Sequence, residues 1–187
     1  MAESIRSFIA FDLKDHEIME KISEIQQKLE GTGASLKLIN PQNIHVTLRF
    51  LGNIQPSMVD KIYREMEQID FESFQIEVCR VGAFPTLRNP RVIWAGIQKN
   101  LDKLEMISRQ LASRLHILGF PSDSKPFSPH ITLARVRSSR NKAELADSMN
   151  ELTDYVFGVL NLDCLKLKKS VLTPRGPIYT TLKEVCR

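Results

Sequence analysis

The tetrapeptide His45-Val46-Thr47-Leu48 returns 85 residues later as His130-Ile131-Thr132-Leu133, and these two segments decide the fold. In an extended strand side chains alternate between two faces, so each segment predicts a strand with His and Thr on one face and apolar residues on the other. Two of the four histidines of the chain head this pattern. We interpret the recurrence as one structural unit present twice.

The elements predicted around the two motifs repeat as well. In both halves the order is strand, helix, motif strand, helix, strand, from the spacing of apolar residues and from glycines at helix ends. In the first half these elements are a strand at 9–13, a helix from Ile18 that stops at Gly31, the motif, a helix at 57–68 and a strand from Phe74. In the second half they are a strand at 93–97, a helix from Leu101 that stops at Gly119, the motif, a helix at 141–152 and a strand from Phe157.

This duplicated order predicts an α+β fold of two lobes related by a pseudo-two-fold axis. Antiparallel sheets would line a central cleft, and helices would pack outside them. No linker divides the 187 residues, so we expect one domain, 1–187, made of interleaved half-units at roughly 1–85 and 86–187. The closing strands, 164–172 and 178–185, are expected to pair with the first half.

Composition restricts the class of protein. The net charge of +4 and the pI of about 9.0 suit an anionic partner. The chain has no apolar stretch long enough for a membrane span and no signal-peptide pattern, so we expect a cytoplasmic protein without a membrane or obligate protein partner. Its three cysteines, Cys79, Cys164 and Cys186, are odd in number and far apart, which predicts free thiols rather than a disulfide or a zinc site.

Two His/Thr strands facing one cleft favour acid–base chemistry at a phosphate. At neutral pH one imidazole can act as the base and the other as the acid, while the hydroxyls donate to phosphate oxygens. The sequence has no HExxH motif, no Walker-type loop and no nucleophile elbow, so metal, nucleoside-triphosphate and acyl chemistry lack support. We expect neither a metal nor a cofactor.

These residues resemble the two-histidine phosphoesterase superfamily, and within it the LigT-like RNA 2′,3′-cyclic phosphodiesterases, historically called 2′-5′ RNA ligases. The resemblance covers nearly the whole chain. Besides the paired motifs it rests on Arg6-Ser7-Phe8-Ile9-Ala10, Phe50-Leu51-Gly52, Gly82-Ala83-Phe84-Pro85, Arg91-Val92-Ile93-Trp94, Pro126-Phe127-Ser128-Pro129 and Gly176-Pro177-Ile178-Tyr179.

The resemblance implies an enzyme that hydrolyses a 2′,3′-cyclic phosphate at an RNA end, or on a related nucleotide, to a 2′-phosphate without a metal. It further implies that His45 is the proton donor to the leaving 3′ oxygen and His130 the proton acceptor from water. Thr47 and Thr132 would hold the phosphate, and Arg135 matches a family arginine that contacts it.

The geometry of a regular strand bears on the arginines. Arg135 is out of phase with His130 and would face away from the cleft unless the strand bends, bulges or ends there. Arg49, in phase with His45, is the alternative guanidinium. Tyr179 is a further possible substrate contact, because aromatic side chains stack on bases in single-strand recognition.

Other readings remain open. The same site would support 2′-5′ RNA ligation, a small cyclic nucleotide or ADP-ribose cyclic phosphate as substrate, or a non-catalytic module that binds RNA or a nucleotide. Outside the motifs we expect structural roles: helix positions for His16 and His116, a solvated face for Lys166 and Lys168, and core packing for Phe8 and Trp94.

Overall fold

The computed structural model describes residues 4–122, 125–174 and 176–187. The predicted strands and helices follow one another in the predicted order, and one short strand at 36–38 is present in addition. The strands are β1 (Ile5–Asp12), β2 (Leu36–Leu38), β3 (His45–Ile54), β4 (Phe74–Thr86), β5 (Asn89–Gln98), β6 (His130–Val136), β7 (Val156–Leu162), β8 (Cys164–Thr173) and β9 (Gly176–Cys186). The helices are α1 (His16–Gly31), α2 (Met58–Glu67), α3 (Leu101–Ile117) and α4 (Lys142–Asn150).

These strands form one curled antiparallel sheet, in the order β7-β4-β5-β6-β3-β1-β8-β9, with β2 paired to β6. The motif strands β3 and β6 are neighbours at its centre, joined by the register pair Val46 and Ile131. Four strands extend to each side of this junction. The predicted α+β class with antiparallel strands is confirmed, and the two expected sheets are continuous through the motif strands.

Each side of the sheet contains strands from both halves of the sequence. Of the two closing strands, β8 pairs with β1 as predicted, whereas β9 pairs with β8 at the edge of the sheet and not with the first half. In the other direction, β4 of the first half pairs with β5. Neither half-sequence therefore holds all the strands of one side. We propose on this basis that residues 1–187 form a single domain of two interleaved lobes.

The helices cover the face of the sheet opposite the motif His and Thr side chains. On the helix side, Val46, Leu48, Ile131 and Leu133 are buried in a common core. Helices α1 and α3 add buried residues at helical spacing, namely Ile18, Ile22, Ile25, Leu29, Leu104, Ile107, Leu111 and Leu115. Burial of this apolar area stabilises the fold and leaves the other face, here called the cleft face, open to a ligand.

The glycine stops predicted for the two long helices differ from the structure in one case. Gly119 takes the left-handed conformation after α3, with φ of 88°. After α1, however, Gly31 is still helical, and Gly33, with φ of 72°, is the left-handed residue. No helix among the described residues is long and apolar enough to cross a membrane.

Cys164 and Cys186 form a disulfide, so the prediction of free thiols is wrong for this pair. The two residues are register partners at the open ends of β8 and β9, with Cα atoms 4.0 Å apart. Their separation of 22 residues is bridged because the two closing strands pair with each other as a hairpin, whereas the sequence predicted pairing with the first half. Cys79 is free and buried.

Candidate active site

His45 and His130 open the two motif strands and are held in the same way. The Nδ1 atom of His45 lies 2.6 Å from the Asn43 carbonyl oxygen, and that of His130 lies 2.8 Å from the Ser128 carbonyl oxygen. A carbonyl only accepts, so Nδ1 carries the proton in each bond. The Nε2 atom of each neutral ring is then left to accept a proton, and that of each charged ring to donate one.

The register of the motif strands interlocks the two motifs. Because Val46 and Ile131 are antiparallel partners, His45 aligns with Thr132 and Thr47 aligns with His130. All four side chains are half-buried, and the two imidazoles are close enough to influence each other electrostatically. The structure thus brings together the four residues that the motifs predict.

A β-bulge after the second motif turns Arg135 onto the cleft face. Thr132 opposes Trp94, and Ala134 opposes Ile93. Leu133 therefore has no partner of its own on β5 and is the extra residue. An extra residue shifts the alternation of side chains by one position. Arg135 is therefore exposed on the face of Thr132, and the phase problem of a regular strand does not arise.

The core holds this bulge through α1. Gln26 is buried in the helix, and its Nε2 donates to the Leu133 carbonyl at 2.8 Å and to the Ile39 carbonyl at 2.9 Å. The backbone N–H of Ile39 donates to the same Leu133 oxygen at 2.9 Å. Gln26 thereby supports the position of Arg135 from the opposite side of the sheet.

A second bulge, at Leu48, reverses the expectation for Arg49. Thr47 opposes Ala10, and Arg49 opposes Ile9. Leu48 is therefore the extra residue. Arg49 therefore points to the helix side and is 4% exposed, while Phe50 lies on the cleft face and is 70% exposed. The prediction that Arg49 shares the face of His45 is wrong, because it assumed an unbroken strand.

Arg49 has a different task in the structure. Its Nη2 donates to the carbonyl oxygen of Pro121, in the segment that leads to His130. On the helix side of the sheet, this contact links β3 to the chain segment that precedes β6.

The matching bulges also show what sequence reasoning missed. Phe50 and Arg135 each lie five residues after a motif histidine, and both reach the cleft face. Equal spacing in a duplicated unit was the available signal for Phe50. The asymmetry after the motifs therefore lies between Phe50 and Arg135, rather than between Arg49 and Arg135.

Aromatic rings surround His45. The ring centroids of Phe8 and Tyr179 lie 4.9 Å and 5.3 Å from that of His45, and Phe8 lies 6.3 Å from Phe50. Phe8 is buried, as expected, but on the cleft side of the sheet. Burial raises the pKa of Tyr179, while the positive charges of Arg135 and Arg6 act to lower it. The charge of Arg135 therefore acts on Tyr179, which lies beside His45.

A different aromatic pair flanks His130. The ring of Phe84 meets the His130 ring edge-on at 5.0 Å and lies 5.3 Å from the Trp94 ring. Trp94 is half-buried on the cleft face opposite Thr132, so its assignment to the core is wrong. Its indole covers Gly82, where an added Cβ would lie 2.3 Å from the ring.

A buried charge cluster lies beside His45. Asp12, the register partner of His45, accepts from Lys166 Nζ at 3.1 Å and from Lys168 Nζ. Each lysine is only 5% exposed, so the expected solvated face is wrong: both side chains turn inward to one carboxylate. Burial acts to raise the pKa of Asp12, but the hydrogen bonds and charges of Lys168 and Lys166 lower it overall.

The surroundings of His45 lower its pKa. Burial is the largest influence, and the charges of Lys168 and His130 act in the same direction. The hydrogen bond with the Asn43 carbonyl and the charge of Asp12 oppose this shift. The free protein therefore holds His45 neutral near pH 7, since its ordinary pKa is already close to 6.5.

The other two histidines lie away from the motifs, on helices as predicted. His16 begins α1 and lies 3.5 Å from Glu20, and His116 is exposed near the end of α3. Among the described residues, one group of possible metal ligands lies together, Cys164, Glu184 and Cys186, but both sulfur atoms are joined in the disulfide. That group contains neither motif histidine.

Comparisons with known proteins agree with this geometry. A family model described as LigT like Phosphoesterase matches residues 13–94 and 96–179. An RNA 2′,3′-cyclic phosphodiesterase of Archaeoglobus fulgidus is 35% identical over 179 residues, covering 96% of this chain and 98% of the relative. One from Aeropyrum pernix is 34% identical over 165 residues, covering 88% and 94%.

Solved structures extend the likeness to the fold. The crystal structure of E. coli LigT complexed with 3′-AMP matches with a TM-score of 0.80 and 25% identity, covering 98% of each chain. The family model spans most of the chain and includes both motifs. The chain therefore belongs to the LigT-like phosphoesterase family.

Proposed function

We propose that this protein is an enzyme that hydrolyses 2′,3′-cyclic phosphates at RNA ends to 2′-phosphates. The observation that supports the proposal is the interlocked pair of motifs, with two imidazoles and two hydroxyls on one face of two adjacent strands. Relatives that share about a third of its residues over most of their length are named RNA 2′,3′-cyclic phosphodiesterases. A nucleotide bound to E. coli LigT is consistent with the same class of ligand.

The histidines perform the two proton transfers. Nε2 of neutral His130 takes a proton from water as the water oxygen bonds to phosphorus. The bond from phosphorus to the 3′ oxygen breaks, and Nε2–H of protonated His45 gives its proton to that oxygen. The product carries a 2′-phosphate and a 3′-hydroxyl, and proton exchange with solvent restores both rings.

The remaining polar residues stabilise the charge on phosphorus. Thr47 and Thr132 hydroxyls donate to the non-bridging oxygens, and the Arg135 guanidinium adds a charge-assisted contact. Binding of the anionic phosphate beside His45 also favours the protonated ring, which offsets the burial that lowers its pKa. This chemistry asks for no metal ion.

A labelled RNA that ends in a 2′,3′-cyclic phosphate tests the proposal. We expect the wild type to convert it to the 2′-phosphate in the presence of EDTA, and His45→Ala and His130→Ala to lose about 10²- to 10⁴-fold in rate while remaining folded. His16→Ala, which alters an exposed helix residue, is the matched control. Near-normal turnover by both motif variants, or a 3′-phosphate product, would contradict the proposed chemistry.

The exposed ring of Phe50 suggests how the end of the RNA is held. Phe50 packs on the buried ring of Phe8, which also contacts Tyr179 and His45, so it offers a stacking surface near His45, and bases of any kind stack on such rings. We expect RNA ends and related nucleotides as ligands, and the cytoplasm as the compartment.

A further inference from the structure

Arg80 occupies an unusual position in the middle of β4. It is the extra residue of a third bulge, between Cys79, which opposes Gly96, and Val81. Its φ of 51° is left-handed, a conformation that a residue with a long side chain adopts at a cost. Its backbone N–H donates to the Tyr155 carbonyl at 2.6 Å, which fixes the bulge in place.

The bulge directs the Arg80 side chain across the cleft face of β5. A Cβ added at Gly96 would lie 2.7 Å from Nε of Arg80 and 2.9 Å from its Cγ, so the arginine stem rests on bare backbone. The guanidinium continues over Trp94, with Cζ 5.9 Å from the ring centroid. Gly96 and Trp94 are the register partners of His130 and Thr132.

Arg80 therefore presents a positive charge one strand, about 5 Å, away from the second motif. Its side chain is exposed, and no carboxylate of the described ranges 4–122, 125–174 and 176–187 forms an ion pair with it. The indole keeps the planar guanidinium oriented, and this geometry suits bidentate binding of a phosphate. On the same sheet, Lys166 and Lys168 are buried and paired with Asp12, and Lys166 also with Glu184, so they do not offer such an exposed site.

We infer that Arg80 binds a second phosphate of the substrate, namely the phosphate ester on the 5′ side of the nucleotide that carries the cyclic phosphate. This inference rests on the proposed function, because it takes the reacting phosphate to lie between His45 and His130. In RNA this second group is the diester that joins the terminal nucleotide to the rest of the strand. Arg80 then makes the protein prefer RNA ends, or 5′-phosphorylated nucleotides, over nucleosides that carry the cyclic phosphate alone.

Binding of two small product analogues tests the inference without any need for turnover. Adenosine 2′,5′-bisphosphate and adenosine 2′-monophosphate differ only in the 5′-phosphate. We expect the wild type to bind the bisphosphate about five- to twentyfold more tightly by calorimetry, and Arg80→Ala to abolish this ratio. Arg80→Lys should keep part of it, since lysine retains the charge without the fork.

Arg109→Ala is the control for lost charge, because Arg109 is an exposed arginine on α3 paired with Glu105. It should leave the ratio of the two affinities as in the wild type. No preference in the wild type, an unchanged ratio in Arg80→Ala, or an equal loss for both ligands would each overturn the inference.

A dinucleotide arm separates RNA from free nucleotides as the source of the phosphate. With dinucleotide and nucleoside 2′,3′-cyclic phosphates as substrates, Arg80→Ala should raise KM for the dinucleotide by a similar factor and raise it far less for the nucleoside. Loss confined to the bisphosphate would overturn the diester as ligand. Absence of turnover by the wild type would instead reject the proposed function. The ratio of the two calorimetric affinities would still test whether Arg80 binds the 5′-phosphate.

Discussion

At the scale of single residues, two imidazoles held by identical hydrogen bonds differ in what surrounds them. His45 has Asp12 as register partner, and that carboxylate is shared by two lysines. His130 instead faces Gly96, a residue without a side chain. The motifs make the two histidines equivalent, and their neighbours on the adjacent strands make them different.

The pH dependence of catalysis should respond to this neighbourhood. If His45 is the acid, kcat/KM falls as pH rises through its pKa, which lies below the ordinary value of 6.5. Lys168→Met removes a charge that lowers this pKa, so the fall should move to higher pH. Asp12→Asn removes a charge that raises it, so the fall should move to lower pH.

Lys169→Met is the control for these profiles. Lys169 is the neighbour of Lys168 in the sequence, but it is not among the groups that shift the pKa of His45. It should leave the profile of kcat/KM against pH in place. Shifts of Lys168→Met and Asp12→Asn in the same direction would contradict the role given to His45.

The two arginines after the motifs should fail in different ways. Arg135→Met removes the proposed phosphate contact and should lower kcat/KM about 10- to 150-fold with the free energy of unfolding unchanged. Arg49→Met breaks a buried hydrogen bond with Pro121 and should lower the free energy of unfolding by roughly 1–3 kcal/mol, with a smaller effect on kcat/KM. Urea unfolding and steady-state kinetics, measured on both variants, separate these outcomes. A loss of kcat/KM in Arg49→Met together with a loss of stability in Arg135→Met would instead identify Arg49 as the phosphate ligand.

At the scale of elements, the strands and helices were predictable and the bulges were not. Apolar spacing located each helix and each motif strand, because burial of one face leaves a periodic trace in the sequence. A bulge adds one residue without changing composition, so neither Leu48 nor Leu133 marks its own position. For this reason the sequence predicted the four motif residues correctly as neighbours and misplaced Arg49.

Gln26 should control the second bulge from behind. Gln26→Met removes two buried hydrogen bonds and should lower the free energy of unfolding by about 1–3 kcal/mol. It should also lower kcat/KM, because Arg135 loses its fixed position, and this loss should be much smaller when Arg135 is already Met. Gln27→Met, at the exposed neighbouring position, should have neither effect. Additive losses in the double variant would show that Gln26 does not act through Arg135.

The disulfide between β8 and β9 should stabilise the hairpin that carries the lysine pair and Tyr179. Its 22-residue separation corresponds to roughly 3 kcal/mol of stabilisation through the unfolded state. Unfolding in urea with and without dithiothreitol should show that difference, and a Cys164→Ser, Cys186→Ser variant should not respond to the reductant. Titration of three reactive thiols in the unfolded, unreduced chain would contradict the bond.

At the scale of the whole molecule, exchange of strands between the halves joins the two motifs in one sheet. β4, from the first half of the sequence, lies on the side of the sheet that holds the second motif strand, β6. β8, from the second half, lies on the side that holds the first motif strand, β3. The duplicated sequence predicted two lobes, and the apolar closing strands indicated a crossing. The disulfide and the inward lysines were missed, since both depend on which strands become neighbours.

We propose that this symmetric framework holds a site with unequal roles, His45 as acid and His130 as base. The most direct measurement compares a 2′,3′-cyclic phosphate with one in which sulfur replaces the leaving 3′ oxygen, because a thiolate leaves without a proton. With the oxygen substrate, both His45→Ala and His130→Ala should lose about 10²- to 10⁴-fold in kcat/KM. With the sulfur substrate, His45→Ala should recover most of its loss while His130→Ala stays impaired. Recovery of His130→Ala instead, or of neither variant, would contradict these roles.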